Sequence, residues 1–215
     1  DSSLRERYLA LSESSQDPEK VIRMRENIRK SDPDNLTNLL RLARLYERTG
    51  RFTLAEQTYR DVVERSGQSP WAMGILAKFL YRTHRDVEAR QMLANWAQTR
   101  KDKVGAYLVM GAYLDSAGST DQAKTIFQKA IDTAPSDPRG YLAMARFFAR
   151  RGKWSQAVRY QKEFIAHLGK KALGSSQKDL VIYLVKANML EEAERLIDKE
   201  LQKTPDNIDL LRYKA

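Results

Sequence analysis

The chain has 215 residues, of which 42% are apolar and 31% charged, and its formal net charge is +10. This composition is typical of a folded helical protein and excludes a disordered chain. The lack of cysteine excludes disulfides, Fe–S clusters and thiol catalysis within the chain. Since no apolar run is long enough for a membrane span and no signal-peptide pattern is present, we expect a soluble segment, either cytoplasmic or periplasmic and envelope-associated.

The first 35 residues predict a helix pair with a thin apolar face. Pro33 closes this pair because proline cannot continue a helix. The apolar face is formed by Tyr8, Leu9, Val21, Met24 and Ile28.

From residue 36 onward, one pattern recurs every 34 residues, in copies that begin at residues 36, 70, 104 and 138. Apolar residues spaced by three, four and seven indicate helices. Gly50, Gly118 and Gly152 stand at position 15, where a first helix must end, and glycine tolerates the left-handed backbone of such an end. A period of this length predicts stacked helix-turn-helix units. Small residues recur at position 8 (Ala43, Ala77, Gly111, Ala145) and alanine at position 20 (Ala55, Ala89, Ala123, Ala157).

A fifth copy fits the 34-residue pattern only if two extra residues separate it from the fourth copy. Ala193 and Pro205 place its start near Gly174. Residues 208–215 then resemble the opening of a further first helix, and the chain begins at Asp1 without methionine. We therefore expect the chain to be a segment of a longer protein.

A 34-residue helix pair with small residues at positions 8 and 20 and proline at position 32 resembles the tetratricopeptide repeat (TPR). The strongest copy is 104–137, with Gly111, Gly118, Ala123 and Pro135 at the family's positions. The resemblance implies an all-α fold, a right-handed superhelical solenoid of antiparallel helix pairs. The predicted units are a degenerate pair over 1–35, TPR copies over 36–69, 70–103, 104–137, 138–171 and 174–207, and the start of a further helix over 208–215.

The resemblance also implies that certain first-helix positions face a concave groove. At those positions the chain has ten basic side chains against three acidic ones, Glu47, Asp115 and Asp179. A groove of this charge favours an acidic ligand, whereas the alternative is that the cations are solvated surface residues. The basic residues are Arg41, Arg44, Arg48, Lys78, Arg82, Arg139, Arg146, Arg150, Lys178 and Lys186.

Three further residues complete the predicted partner-binding groove. Trp71 and Tyr81 fall at groove positions near Lys78, where their rings either contact a ligand or pack structurally. The third copy is nearly apolar at its groove positions, and Leu108 belongs to this patch, which would seat an apolar side chain of a bound peptide.

Enzymatic function finds no support in the sequence. His84 replaces a turn glycine and His167 lies at the end of a second helix, so they form neither a metal-ligand spacing nor a nucleophile–base pair. We expect no catalytic residues, no metal and no cofactor.

The sequence therefore predicts a scaffold or adaptor that binds an acidic or amphipathic protein segment within a larger assembly. One alternative is a bacterial envelope or exopolysaccharide-export scaffold that meets an anionic polymer. A second is an RNA-binding helical repeat protein, disfavoured because no recurring polar code stands at the groove positions. Because the terminal faces of a truncated array stay apolar, end-to-end self-association is also expected.

Overall fold

The computed structural model describes residues 17–168 and 175–202, and within these ranges all regular secondary structure is helical. The predicted all-α fold class of successive helix pairs is confirmed. The described helices are α1 (Pro18–Ser31), α2 (Leu36–Arg48), α3 (Phe52–Arg65), α4 (Pro70–Arg82), α5 (Asp86–Thr99), α6 (Lys103–Ser116), α7 (Thr120–Thr133), α8 (Pro138–Ala149), α9 (Trp154–Leu168), α10 (Ser175–Lys186) and α11 (Leu190–Leu201).

Contacts divide the chain into two compact units, residues 1–95 and 96–215, and the division falls within α5. In the first unit the small residues allow close helix packing: Ala43, Ala55, Ala77 and Ala89 are fully buried. Leu39 and Val62 join α2 to α3 and belong to the same apolar cluster as Ala72 of α4. The first unit is thus held together between consecutive helices, as expected for a repeat array.

In the second unit, α6 packs on α7 and α8 packs on α9. Gly111 at position 8 lies against the ring of Phe127, and an added Cβ would stand 2.5 Å from the Phe127 Cε1 atom.

Gln161 occupies a position that is aromatic or leucine in the three preceding copies. It is fully buried, and its Nε2 donates to the Ser176 carbonyl oxygen at 2.8 Å. A buried amide thus joins α9 to α10 at a position where the preceding copies bury Tyr59, Leu93 and Phe127.

The turns within the helix pairs share a left-handed residue. Gly50, Gly118 and Gly152 have φ values of +75°, +78° and +68°, which confirms the helix ends predicted from these glycines. His84 takes the same conformation with φ +59°, 34 residues after Gly50. Asn188 also has the left-handed conformation, with φ +59°, and it lies 36 residues after Gly152. The limits of the repeat units themselves stay a prediction.

Proline and capping residues set several helix boundaries. α1 ends at Ser31 ahead of Pro33, and the side chains of Asn35, Asp102 and Asp137 cap the N-termini of α2, α6 and α8. Tyr8, Leu9, the start near Gly174, Pro205 and the predicted helix over 208–215 lie outside the described residues.

Candidate binding site

The most compact group of predicted groove cations lies along one side of α2. Arg41, Arg44 and Arg48 are spaced by three and four residues, which places them on one helix face. The opposite face of α2 is buried through Leu42 and Ala43, so the arginine face is directed away from the core. Arg44 and Arg48 are exposed and Arg41 is half-buried. We call these three residues the arginine stripe.

A cavity of about 350 Å³ adjoins the arginine stripe. Its lining in the described part of the chain consists of the three arginines and Leu45. Leu45 is buried, so it contributes an apolar wall beside the cations. Such an environment strengthens the attraction between the arginines and an anion, because the field is screened less than in open water.

Glu47, the predicted groove acid of α2, is bound by two residues outside the arginine stripe and also feels the charge of Arg44. It accepts hydrogen bonds from Arg82 Nε at 2.6 Å, from Arg82 Nη2 at 2.9 Å and from the Tyr59 hydroxyl at 2.8 Å. Burial raises the pKa of Glu47, but the hydrogen bonds from Arg82 and Tyr59 outweigh it and leave the pKa below its ordinary value. The charge of Arg82 is thus matched within the fold by an acid that the sequence count already included.

The neighbouring helix α4 presents one cation and two aromatic rings. Lys78 is exposed, and Trp71 and Tyr81 are 46% and 40% exposed. Both residues are therefore partly exposed, while more than half of the surface of each is covered by the protein. Neither Lys78 nor Arg44 forms an ion pair with any residue in the described ranges.

In the second unit, two predicted groove cations are engaged by carboxylates. Arg139 contacts Asp102 through Nη1 at 2.8 Å and Nη2 at 2.9 Å, and it pairs with Asp137 at 2.7 Å. These hydrogen bonds from Arg139 lower the pKa of both Asp102 and Asp137. Asp115 pairs with Arg150 and with Arg151. The sequence count of groove charges already included Asp115, but it did not include Asp102 and Asp137, which offset the charge of Arg139.

The remaining predicted residues of the second unit are partly or fully accessible. Arg146 and Lys186 are exposed, while Leu108 and Lys178 are half-buried. Gly105 stands at position 2 of the third copy, one of the nearly apolar groove positions predicted there. It is buried, and an added Cβ would stand 2.4 Å from Asp102 Oδ2. The patch around Leu108 therefore lacks this member.

Sequence reasoning missed two polar features of the first unit. Arg25 is fully buried, with Nη1 donating to Asn38 Oδ1 at 3.1 Å, and Asn38 Nδ2 donating to the Arg25 carbonyl oxygen at 3.0 Å. Glu56 and Glu88 both bind Arg60 and Arg85 in a four-member ionic network. The i,i+4 spacing of Glu56 and Arg60 and the i,i+3 spacing of Arg85 and Glu88 could have indicated the two halves of the network. The links between the halves join residues 28 and 29 positions apart.

The two histidines belong to neither of these polar groups. His84 is exposed in its turn, and the ring of His167 stacks on Tyr141 with centroids 4.7 Å apart. Within the described residues, no group of three or more His, Cys, Asp or Glu side chains is placed to hold a metal ion. None of the helices searched in those ranges has the length and apolarity of a membrane span.

The paired helices, buried small residues and left-handed turns define a TPR-type helical repeat protein. The sequence profile of the ChAPs (Chs5p-Arf1p-binding proteins) matches residues 20–161, more than half of the chain. The chain belongs to the ChAPs family.

Two bacterial proteins share part of the sequence. The chain is 28% identical over 115 residues to cellulose synthase operon protein C of Komagataeibacter sucrofermentans and, equally, to that of Komagataeibacter xylinus. These matches cover 53% of the chain and only 9% of each relative.

Two solved structures show the same fold. The type IV pilus biogenesis factor PilW is 18% identical with a TM-score of 0.56, and the match covers 100% of this chain and 98% of PilW. Human IFIT1, solved as a dimer with m7Gppp-AAAA, is 15% identical with a TM-score of 0.52, and the match covers 86% of this chain and 46% of IFIT1.

Proposed function

We propose that the chain is a protein-interaction scaffold that binds an acidic, amphipathic segment of a partner protein on the arginine stripe and the adjoining surface of α4. The fold class and the family support a role in protein interaction. The observation that carries the choice of partner is the cavity beside the arginine stripe, where three guanidinium groups adjoin a buried leucine.

The chemistry of this surface favours a segment that is both acidic and apolar. Arg44 and Lys78 supply positive charge, and neither forms an ion pair within the described ranges. Trp71 and Tyr81 supply exposed aromatic surface, which is enriched where proteins recognise one another. A partner helix with carboxylates on one side and leucines on the other would contact both kinds of group.

A direct test uses a fluorescein-labelled peptide of glutamate and leucine with helical spacing. We expect the 215-residue chain to bind it with an affinity that falls as salt is added, since salt screens exposed charges. The control is the same peptide with glutamine in place of glutamate. Equal binding of both peptides, measured by fluorescence anisotropy, would contradict an acidic partner.

A second candidate is a scaffold that meets an exopolysaccharide. It is favoured by the 28% identity to cellulose synthase operon protein C and by the exposed rings of Trp71 and Tyr81, since aromatic faces stack on sugars. Titration with carboxymethyl cellulose and with a neutral cello-oligosaccharide tests it through tryptophan fluorescence. A signal that persists after Trp71→Ala would place the change at Trp96 or Trp154 and count against this candidate.

A further inference from the structure

We propose that the second unit carries a separate docking surface for an apolar partner segment that has one acidic residue. The surface lies between α6 and α8, and we call it the apolar strip. It consists of Leu108, Val109 and Ala112 of α6 with Leu142 and Ala143 of α8. This inference goes beyond the proposed function, because it concerns other helices and a partner of different charge.

Two ion pairs show that α6 and α8 run side by side in the same direction. Asp102, the N-cap of α6, pairs with Arg139 in the first turn of α8 at 2.8 Å. Asp115, the penultimate residue of α6, pairs with Arg150, which directly follows α8. Each pair thus joins corresponding ends of the two helices, which also contact each other directly. The helical rise places the two pairs about 20 Å apart along α6.

The apolar strip lies on the same helix faces as the two ion pairs. Each member on α6 stands three or seven residues from Asp102 or Asp115, and each member on α8 stands three or four residues from Arg139. Residues at these spacings share one face of a helix. Ala112 is exposed and the other four members are half-buried, so the strip is accessible between the pairs. A partner that covers it removes apolar surface from water, which favours binding.

Arg146 gives the apolar strip its preference for a carboxylate. It is exposed, and it stands seven residues after Arg139 and four before Arg150, so it shares their face of α8. Arg139 and Arg150 are held by carboxylates, whereas Arg146 forms no ion pair in the described ranges. A complementary partner therefore places a carboxylate opposite Arg146 and apolar side chains along the strip.

The acids around Arg146 limit the partner to one carboxylate. Burial and the charge of Asp179 raise the pKa of Tyr183 on α10, whereas the charges of Arg146 and Arg150 lower it. Asp179 and Arg146 therefore both act on the same phenol. A run of acidic residues would meet repulsion from Asp179 and from the carboxylates of the two ion pairs.

The test uses an unlabelled helical peptide of alanine and leucine with one central glutamate, a lysine at each end and blocked termini. Because its net charge is positive, the cations of α2 and α4 do not attract it. The control peptide has glutamine in place of glutamate. By isothermal titration calorimetry we expect the glutamate peptide to bind about tenfold more tightly, the effect of one charge-assisted hydrogen bond.

Two variants with matched controls locate the binding. Arg146→Gln should abolish the preference for glutamate, whereas Arg159→Gln, at an exposed arginine of α9, should keep it. Ala112→Gln places an amide on the apolar strip and should weaken both peptides by about tenfold. Ala166→Gln, at an exposed alanine of α9, should weaken neither.

Each other outcome overturns the proposal. Equal affinity of the original chain for both peptides, or no binding of either, would remove the apolar strip as a docking surface and leave the proposed function standing. Loss of the preference in Arg159→Gln as well would show a response to overall charge. The double variant Arg44→Glu, Lys78→Glu should not weaken this peptide, and a weakening there would assign it to α2 and α4 instead.

Discussion

Arg82 and Glu47 are joined by a two-point ion pair, with Nε to Oε1 at 2.6 Å and Nη2 to Oε2 at 2.9 Å. The two residues are 35 positions apart, and so are Arg150 and Asp115, which also form an ion pair. In both cases an acid at position 12 of one predicted copy meets an arginine at position 13 of the next. The pairing connects successive first helices within each unit.

The first prediction concerns the stability supplied by Glu47. Its replacement by alanine leaves the buried Tyr59 hydroxyl without its acceptor, and we expect the free energy of unfolding to fall by about 1–3 kcal/mol. Urea denaturation followed by circular dichroism measures it. Glu64→Ala, an exposed site on α3, is the control. Similar unfolding midpoints for the two variants would show that the hydrogen bond contributes little.

The second prediction concerns the pH dependence of stability. Hydrogen bonds from Arg85 and Arg60 lower the pKa of Glu56 below its ordinary value of 4.5. A carboxylate whose pKa is lower in the folded than in the unfolded state contributes stability above the unfolded value, and that contribution is lost as pH falls through the folded value. We therefore expect the urea midpoint to drop below about pH 4.5, and to drop less in Glu56→Gln, because that variant lacks the titrating group. Parallel curves for both proteins from neutral pH to pH 3 would contradict this.

The third prediction concerns the turn residue His84. A side chain at φ +59° carries a steric cost that glycine avoids. We expect His84→Gly to raise the free energy of unfolding by about 0.5–1 kcal/mol, since the relief exceeds the added flexibility of the unfolded chain. Gly118→His at the equivalent turn should change stability in the opposite direction. A His84→Gly variant that is less stable than the original chain would contradict a steric cost at this turn.

The fourth prediction concerns the close helix packing at position 20. Ala123 is fully buried on α7, so Ala123→Trp should force neighbouring helices apart at a cost of about 1–3 kcal/mol or more. The adjacent exposed site provides the control through Lys124→Trp, which should leave the thermal midpoint nearly unchanged. Equal midpoints for the two variants would contradict the assigned packing.

Much of the fold could be predicted from the sequence because its signals are local. Gly50, Gly118 and Gly152 mark turns through their own backbone preference, and buried alanines mark close helix contacts through their size. His84 shows the limit of this reasoning. The alignment of the 34-residue copies identified His84 as the residue in place of a glycine. Its left-handed backbone, however, is set by the surrounding turn and not by the preference of histidine.

The candidate site was harder to predict, because charge pairing depends on which side chains of neighbouring helices meet. Arg82, Arg139 and Arg150 occupy positions expected to be cationic surface, yet each contacts a carboxylate from another helix. Their partners lie 35 or 37 residues away, beyond the reach of a pattern within one helix. Only Arg139 also pairs with an acid nearby in sequence, Asp137. Buried Arg25 and Gln161 escaped prediction because each relies on a polar partner from another helix.

The distribution of paired and unpaired cations decides which variants can test binding. Arg150→Glu would place two carboxylates together at Asp115 and disturb the contact between α6 and α8. Arg44 and Lys78 avoid this difficulty, because neither forms an ion pair in the described ranges. A matched pair of exposed cations exists on α1 at Arg23 and Lys30.

The most direct test is the dissociation constant of the glutamate–leucine peptide for the double variant Arg44→Glu, Lys78→Glu against that for Arg23→Glu, Lys30→Glu. Both variants change the net charge equally, so the comparison isolates the position of the charge. Circular dichroism verifies folding, and glutamine replaces glutamate at both sites if the first variant does not fold. A weakening of at least about tenfold in the first variant alone is the predicted result. Equal weakening in both would show that the peptide responds to overall charge, and would contradict a binding site on α2 and α4.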